Sequence, residues 1–396
     1  KEKILNCKWN YPIFLSILLI FISSLYATYI INYEPSLEII KWNIWLNLFN
    51  WVPILIAYLG FQTYLISDKQ RDLFRAFLIS GTFPVIISCF MQKFLSIHGP
   101  FDTLFGTIVW FNRPISESNL TGLFNNRNYL GMWLTLCFPF SLSILIFKKH
   151  VLLNRVILFL INSLILYFAL LTSSRNALLG IIICFIFLLE LKKLIRYSLY
   201  FFSGILIINY LIPNFSFLYD INLSNIIEIN TFDKIFQPIK GFNYERIFIW
   251  KSALNFISQK PLLGWGSGTF PYIFHDQGTL VIPFKKLQSQ HSHNLFFEMA
   301  YNFGLPLALL LSSTVLSILK KAIKNIKETK KFSFNYHLKK SWLISAVVIL
   351  IAHLSDITYY DGKISLILAT ILAGLKNISL ENESNSNKTQ LSKEIL

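Results

Sequence analysis

Runs of roughly 17 to 25 apolar residues recur along this chain, the length a helix needs to cross a hydrocarbon core about 30 Å thick. About ten can be read, at Tyr11–Ile31, Ile44–Ile66, Leu73–Met91, Tyr129–Phe147, Val151–Leu171, Ala177–Leu191, Tyr197–Ile212, Leu295–Leu319, Trp342–Ser355 and Ile364–Leu375. The first is too long for a signal peptide and lacks a small-residue cleavage site, so it counts as a span. A chain of 396 residues that is 54% hydrophobic and 14% charged cannot hide so much apolar surface in one soluble core. The expected fold class is an all-α polytopic membrane protein of about ten transmembrane helices, with a long extracytoplasmic loop.

The formal charge of +16 raises the question of nucleic acid, but the basic residues form short clusters between apolar spans, with no folded module to present them. Membrane orientation explains them. Lys1, Lys3 and Lys8 precede the first span; Lys69, Arg71 and Arg75 follow the second; Lys148, Lys149 and Arg155 follow the fourth; Lys192, Lys193 and Arg196 follow the sixth. Every second connection is therefore basic, which places those connections and both termini in the cytoplasm. The stretch Lys320–Lys340 is the strongest such cluster. The resulting division is a transmembrane bundle over residues 1–212, an extracytoplasmic loop over 213–292, further membrane helices over 293–376 and a polar, disordered cytoplasmic tail over 377–396. Cys7, Cys89, Cys137 and Cys184 show no metal-ligand spacing and read as packing residues.

Most of the concentrated polar chemistry lies between Phe242 and Pro306. Arg246 opens a segment in which Ile247, Trp250, Leu254 and Ile257 recur at helical spacing, as in an amphipathic helix lying at the membrane interface and ended by Pro261. Gly264, Gly266 and Gly268 read as a turn. No Lys-Ser/Thr follows them and no strand precedes them, so they are not a phosphate loop. His291, His293 and Asn294 stand where the chain re-enters the membrane, and Arg175 stands in a tight turn between two spans. The topology puts Arg175, Arg246 and His293 on one extracytoplasmic surface. Asp356 and Asp361 are the nearest approach to an acidic pair, but four intervening residues argue against a metal site.

Four segments, TGLFNNRNYLGMWL (Thr121–Leu134), SSRNALLG around Arg175, RIFIWKSALNFISQKPLLGWGSGTF (Arg246–Phe270) and HSHNLFFEMAYNFGLP (His291–Pro306), resemble the bacterial O-antigen ligase and O-antigen polymerase family in content, order and spacing. The late HLSDITYYDGKISLILATILAGL resembles the end of its cyanobacterial members. Two positions depart from the pattern: Asn302 stands where an acidic residue is common, and Leu307 where glycine often is. The resemblance implies a GT-C-like enzyme of the bacterial inner membrane, multi-pass and with its active site facing the periplasm. Its members transfer a polyprenyl-diphosphate-linked glycan to an acceptor hydroxyl on a glycan, lipid A core or protein, with no cofactor and no metal.

The residue types fit that chemistry. The leaving diphosphate gains negative charge as the glycosidic bond breaks, and planar guanidinium groups meet phosphate oxygens bidentately, which suits Arg175 and Arg246. The acceptor hydroxyl must lose a proton, and imidazole takes one at neutral pH. The residues alone leave His291 and His293 as rival bases; the resemblance points to His293. Asn294, Arg127, Asn128, Trp250 and His291 are then the expected substrate-binding residues. Protein O-oligosaccharyltransferase and O-antigen polymerase activities use the same kind of carrier. A bicarbonate or other anion transporter is the alternative of a different class, but transporters carry their ionisable groups near mid-membrane, whereas here they gather at the outer boundary.

Overall fold

A bilayer offers no partner for a bare N–H or C=O, so each long apolar run satisfies its backbone internally as helix. The computed structural model describes residues 7–31, 38–99, 101–103, 105, 108–110, 119–147, 151–189, 242–277, 281–282, 285–286, 289–331 and 333–394. The expected span Tyr197–Ile212, the middle of the long loop and the basic residues Lys1, Lys3, Lys148, Lys149, Lys192, Lys193 and Arg196 lie outside them. The helices are α1 (Tyr11–Ile31), α2 (Glu38–Asn47), α3 (Val52–Phe61), α4 (Asp68–Phe94), α5 (Arg127–Phe147), α6 (Leu152–Leu171), α7 (Arg175–Leu188), α8 (Phe242–Gln259), α9 (Phe270–Gln277), α10 (Leu295–Phe303), α11 (Leu305–Glu328), α12 (Phe334–Ala352) and α13 (Gly362–Glu394). Seven helical segments among the described residues are long and apolar enough to cross a membrane, and α7 is a shorter apolar helix. Two minimal antiparallel ladders, Phe101–Thr103 with Ile108–Trp110 and Val281–Ile282 with Lys285–Lys286, interrupt the otherwise helical architecture.

Three expectations are corrected. The run Leu295–Leu319 is not one span but α10 and α11, broken at Gly304, whose φ of 92° no continuing helix adopts. The basic stretch Lys320–Lys340 is not a loop either: α11 carries it to Glu328 and α12 resumes it at Phe334. The tail after Lys376 continues α13 as helix to Glu394, since neither glycine nor proline follows Gly374 to stop it.

The chain forms two compact units, residues 1–73 with 239–396, and residues 74–238. In the second unit α5 is the buried member, packed against α6 and α7. Gly131 makes this possible, because a Cβ there would lie 2.9 Å from that of Ala177 on α7. Ser141 donates to Asn162 Oδ1 at 2.8 Å to tie α5 to α6. Cys137 and Cys184 are buried within this packing, as free thiols.

The first unit has two chemically different ends. At one, Lys321 lies 4.3 Å from the Trp9 ring centroid, and a charge network joins the start of α4 to α12 and α13. There the fully buried Arg71 donates to Asp68 at 2.6 Å, to Glu381, and to the carbonyls of Leu65 and Ile66, while Lys339 donates to Glu381 at 2.5 Å. Removing one partner of a buried network strands the others' charge, at a cost of about 3–5 kcal/mol. Arg71→Met is therefore expected to lower the thermal midpoint of the purified protein sharply. A midpoint matching the parent would show that the network contributes nothing. From this end α12 climbs 19 residues, about 28 Å at 1.5 Å per residue, to the polar loop at the other.

Candidate functional site

At that other end, the loop after α12 folds onto the segment that enters α10. Leu295 N–H donates to the His353 carbonyl at 2.9 Å, and Asn294 Nδ2 donates to the Leu354 carbonyl at 2.9 Å. Asn294 also caps α10, accepting from the Phe297 N–H at 3.1 Å, so one side chain both starts the helix and fastens it to its neighbour. These ties hold His293 at φ 54°, a left-handed conformation uncommon for a side chain without glycine's freedom. Its Nδ1 then lies 3.1 Å from Asp356 Oδ1.

An ionised carboxylate only accepts, so His293 donates through Nδ1–H and leaves the lone pair of Nε2 to take a proton. Asp356 is nearly buried, and burial, the largest single influence, raises its pKa. The His293 hydrogen bond and the charges of His293, Arg246 and His291 together outweigh burial, and the net direction is down. Arg246, on the first turns of α8, donates through Nη1 to the Ser355 carbonyl, the residue before Asp356. The guanidinium, the imidazole and the carboxylate thus meet around one short loop.

His291 stacks edge-on to His293 with ring centroids 4.3 Å apart. Burial, with its like-charged neighbour, pushes the His291 pKa down, and its Nδ1 has no hydrogen-bond partner among the described residues. Trp250 stands one turn after Arg246, packs edge-on against Phe297 and likewise leaves its buried Nε1–H without an acceptor there. Of the two histidines, His293 has the orienting carboxylate of a base, and a side chain 28% exposed.

The face that α8 buries differs from the one its sequence spacing marks. Ile249, Ala253, Phe256 and Ile257 pack inward against α10, whereas Ile247 and Leu254 are exposed. The reason is the glycine-rich turn that follows, which pulls α8 down by its C-terminal half. Trp265 N–H and Gly266 N–H donate to the carbonyls of Tyr301 and Asn302 at 2.8 and 3.0 Å, and Leu305 N–H donates to the Pro261 carbonyl at 2.8 Å. Two glycines permit this approach: a Cβ at Gly264 would lie 2.4 Å from the Tyr301 carbonyl oxygen, and one at Gly304 would lie 2.0 Å from that of Leu262. Gly304→Ala adds a backbone clash to a disfavoured φ and is expected to cost about 2 kcal/mol or more. Its thermal midpoint checks this, and an unchanged value would mean that the contact yields freely.

Arg175, Arg127 and Asn128 belong to the second unit. Arg175 is the first residue of α7, exposed, behind a turn in which Ser173 takes φ 50° and Ser174 caps the helix. Arg127 is exposed at the start of α5. That start is fixed by Gln92, whose Oε1 accepts from the N–H groups of Thr121 and Gly122 at 3.0 and 2.9 Å. Contact of Gly131 with Ser174 and Ala177 brings the α5 and α7 N-termini together within this unit.

Residues 160–312 match a family model described as O-antigen ligase. Over this segment the chain is similar to the O-antigen ligase family. No curated protein matches it. The matched segment contains Arg175, Arg246, Trp250, His291, His293 and Asn294, while Arg127, Asn128 and Asp356 lie outside it. Asp356 went unrecognised as the histidine's partner because it stands 63 residues away, and only its unusual place in a span-boundary turn hinted at a role.

Proposed function

We propose that this chain is an O-antigen ligase-like enzyme that transfers a glycan from polyprenyl diphosphate to an acceptor hydroxyl at the outer face of the plasma membrane. The observation that carries the reading is the convergence of Arg246, His293 and Asp356 at the end of the first unit opposite its basic cluster. Positive ends stay inside, so the convergence faces outward, where a lipid-linked glycan is presented. His293 Nε2 takes the proton of the acceptor hydroxyl as its oxygen attacks the anomeric carbon. The glycosidic C–O bond breaks, and the electron pair leaves on the diphosphate. Arg246 stabilises that growing charge in a partly dehydrated site, worth about 3–4 kcal/mol for a well-placed donor. A single displacement of this kind inverts the anomeric configuration. Trp250 and His291 supply a polar edge for sugar hydroxyls, and Asn294 orients His293.

Arg175, Arg127 and Asn128 carry a separate proposal as further donors to phosphate or sugar, tested by their own substitutions. The acceptor distinguishes ligase, polymerase and protein O-oligosaccharyltransferase activities. Reconstitution of the purified protein with a polyprenyl-diphosphate glycan and each acceptor class, followed by assay of released polyprenyl diphosphate, tests the reading. Release that depends on the acceptor supports it; no release with any acceptor, together with anion flux into liposomes, would overturn it.

A further inference from the structure

Glu298 is an acid the proposed chemistry does not use, and it is 2% exposed on the first turn of α10. Its two oxygens face different loops. Oε2 accepts from the Ser292 N–H at 2.9 Å, immediately before His293 in the chain. Oε1 accepts from the Tyr360 hydroxyl at 2.6 Å, in the 3₁₀ turn Thr358–Tyr360 that closes the Asp356 loop. Asn302, one turn further along α10, donates to Oε1 at 3.4 Å. Every group named donates to the carboxylate. Glutamine would have to turn its NH₂ toward one of them, leaving that donor facing another donor in a site closed to water.

We propose that Glu298 is the positioning residue of this site: its two oxygens fasten the histidine loop and the aspartate loop to the same turn of α10, and so fix the distance between His293 and Asp356. The inference rests on His293 being the base. Without the tether, the Ser292–His293 backbone is free to relax from its left-handed conformation, and the imidazole loses its register with the carboxylate. Tyr360 would release as well, and with it the ring that lies 5.8 Å from His291. Supporting partners of this kind typically change activity by about 10- to 100-fold.

The test uses the full chain in nanodiscs with two independent readouts, steady-state release of polyprenyl diphosphate and hydrogen exchange of the peptide spanning residues 289–297. Glu298→Gln is expected to lower kcat about 10-fold or more with little change in KM for the donor, and to speed exchange at Ser292. The pair Glu298→Gln with Asn302→Asp returns a carboxylate beside the Tyr360 hydroxyl and is expected to recover part of the lost kcat. Wild-type kcat in Glu298→Gln overturns the proposal, as does faster exchange with kcat unchanged, which would make the tether structural alone. Should the wild type release no polyprenyl diphosphate at all, the proposed function fails while the exchange readout still decides the tether: slower or equal exchange in Glu298→Gln overturns it.

Discussion

His293→Ala is expected to lower glycan transfer about 10²- to 10⁴-fold, the usual contribution of a positioned general base, while the protein still binds its lipid-linked donor. The geometry makes the expectation specific. Nδ1 is committed to Asp356 at 3.1 Å, which leaves Nε2 as the one ring nitrogen able to take a proton. Alanine at φ 54° carries a backbone penalty of its own. His293→Asn, which tolerates that conformation, separates loss of the base from strain in the loop. Single-turnover release measured with donor saturated decides: comparable losses in both variants with donor binding intact assign the effect to the imidazole, and near-native rates in either remove His293 from the chemistry. Asp356→Asn is expected to cost about 10-fold or more, because the ring is no longer held in one tautomer. The folded carboxylate sits below its ordinary range. It thus contributes stability that is fully present above the unfolded value near 3.9, and that is lost as pH falls through the lower folded value. Asp356→Asn should accordingly be less stable than the wild type at every pH above about 4, and the gap between them should close as pH falls below it.

Arg246→Ala is expected to lower kcat and kcat/KM together by about 10²-fold or more, the signature of an interaction that strengthens as the leaving group departs. Nη1 is anchored on the Ser355 carbonyl, and the planar fork of the guanidinium is what an ammonium lacks. Arg246→Lys keeps the charge and should recover only part of the rate. Full recovery would mean that a point charge suffices and that bidentate contact with the diphosphate is absent. Loss confined to KM would place Arg246 in ground-state binding instead.

The helices α1, α4, α5 and α6 follow their apolar runs to within a few residues, because a span is specified by length and hydrophobicity, both properties of local sequence. The turn at Gly264–Gly268 was legible for the same reason. What sequence spacing alone did not yield depends on distant partners. A glycine inside an apolar run reads as tolerated, and only the Leu262 carbonyl pressed against Gly304 ends α10 there. The buried face of α8 is chosen by the turn that follows it rather than by its own periodicity. Asp356 was read beside Asp361 as a weak acidic pair, since its histidine lies on another loop. Glu298 takes its meaning from Ser292 and Tyr360 arriving from two directions.

At nine residues, α10 is about 14 Å long, roughly half the apolar thickness of a bilayer. Machinery that inserts nascent chains by scoring hydrophobicity would see α10 and the start of α11 as one continuous segment. The turn that bends them apart is synthesised first, so the mould is in place before the piece it shapes. Biogenesis of this protein therefore has a direction, and a circular permutant that delivers residues 260–268 after α11 should insert a straight helix and arrive without the floor of its candidate site.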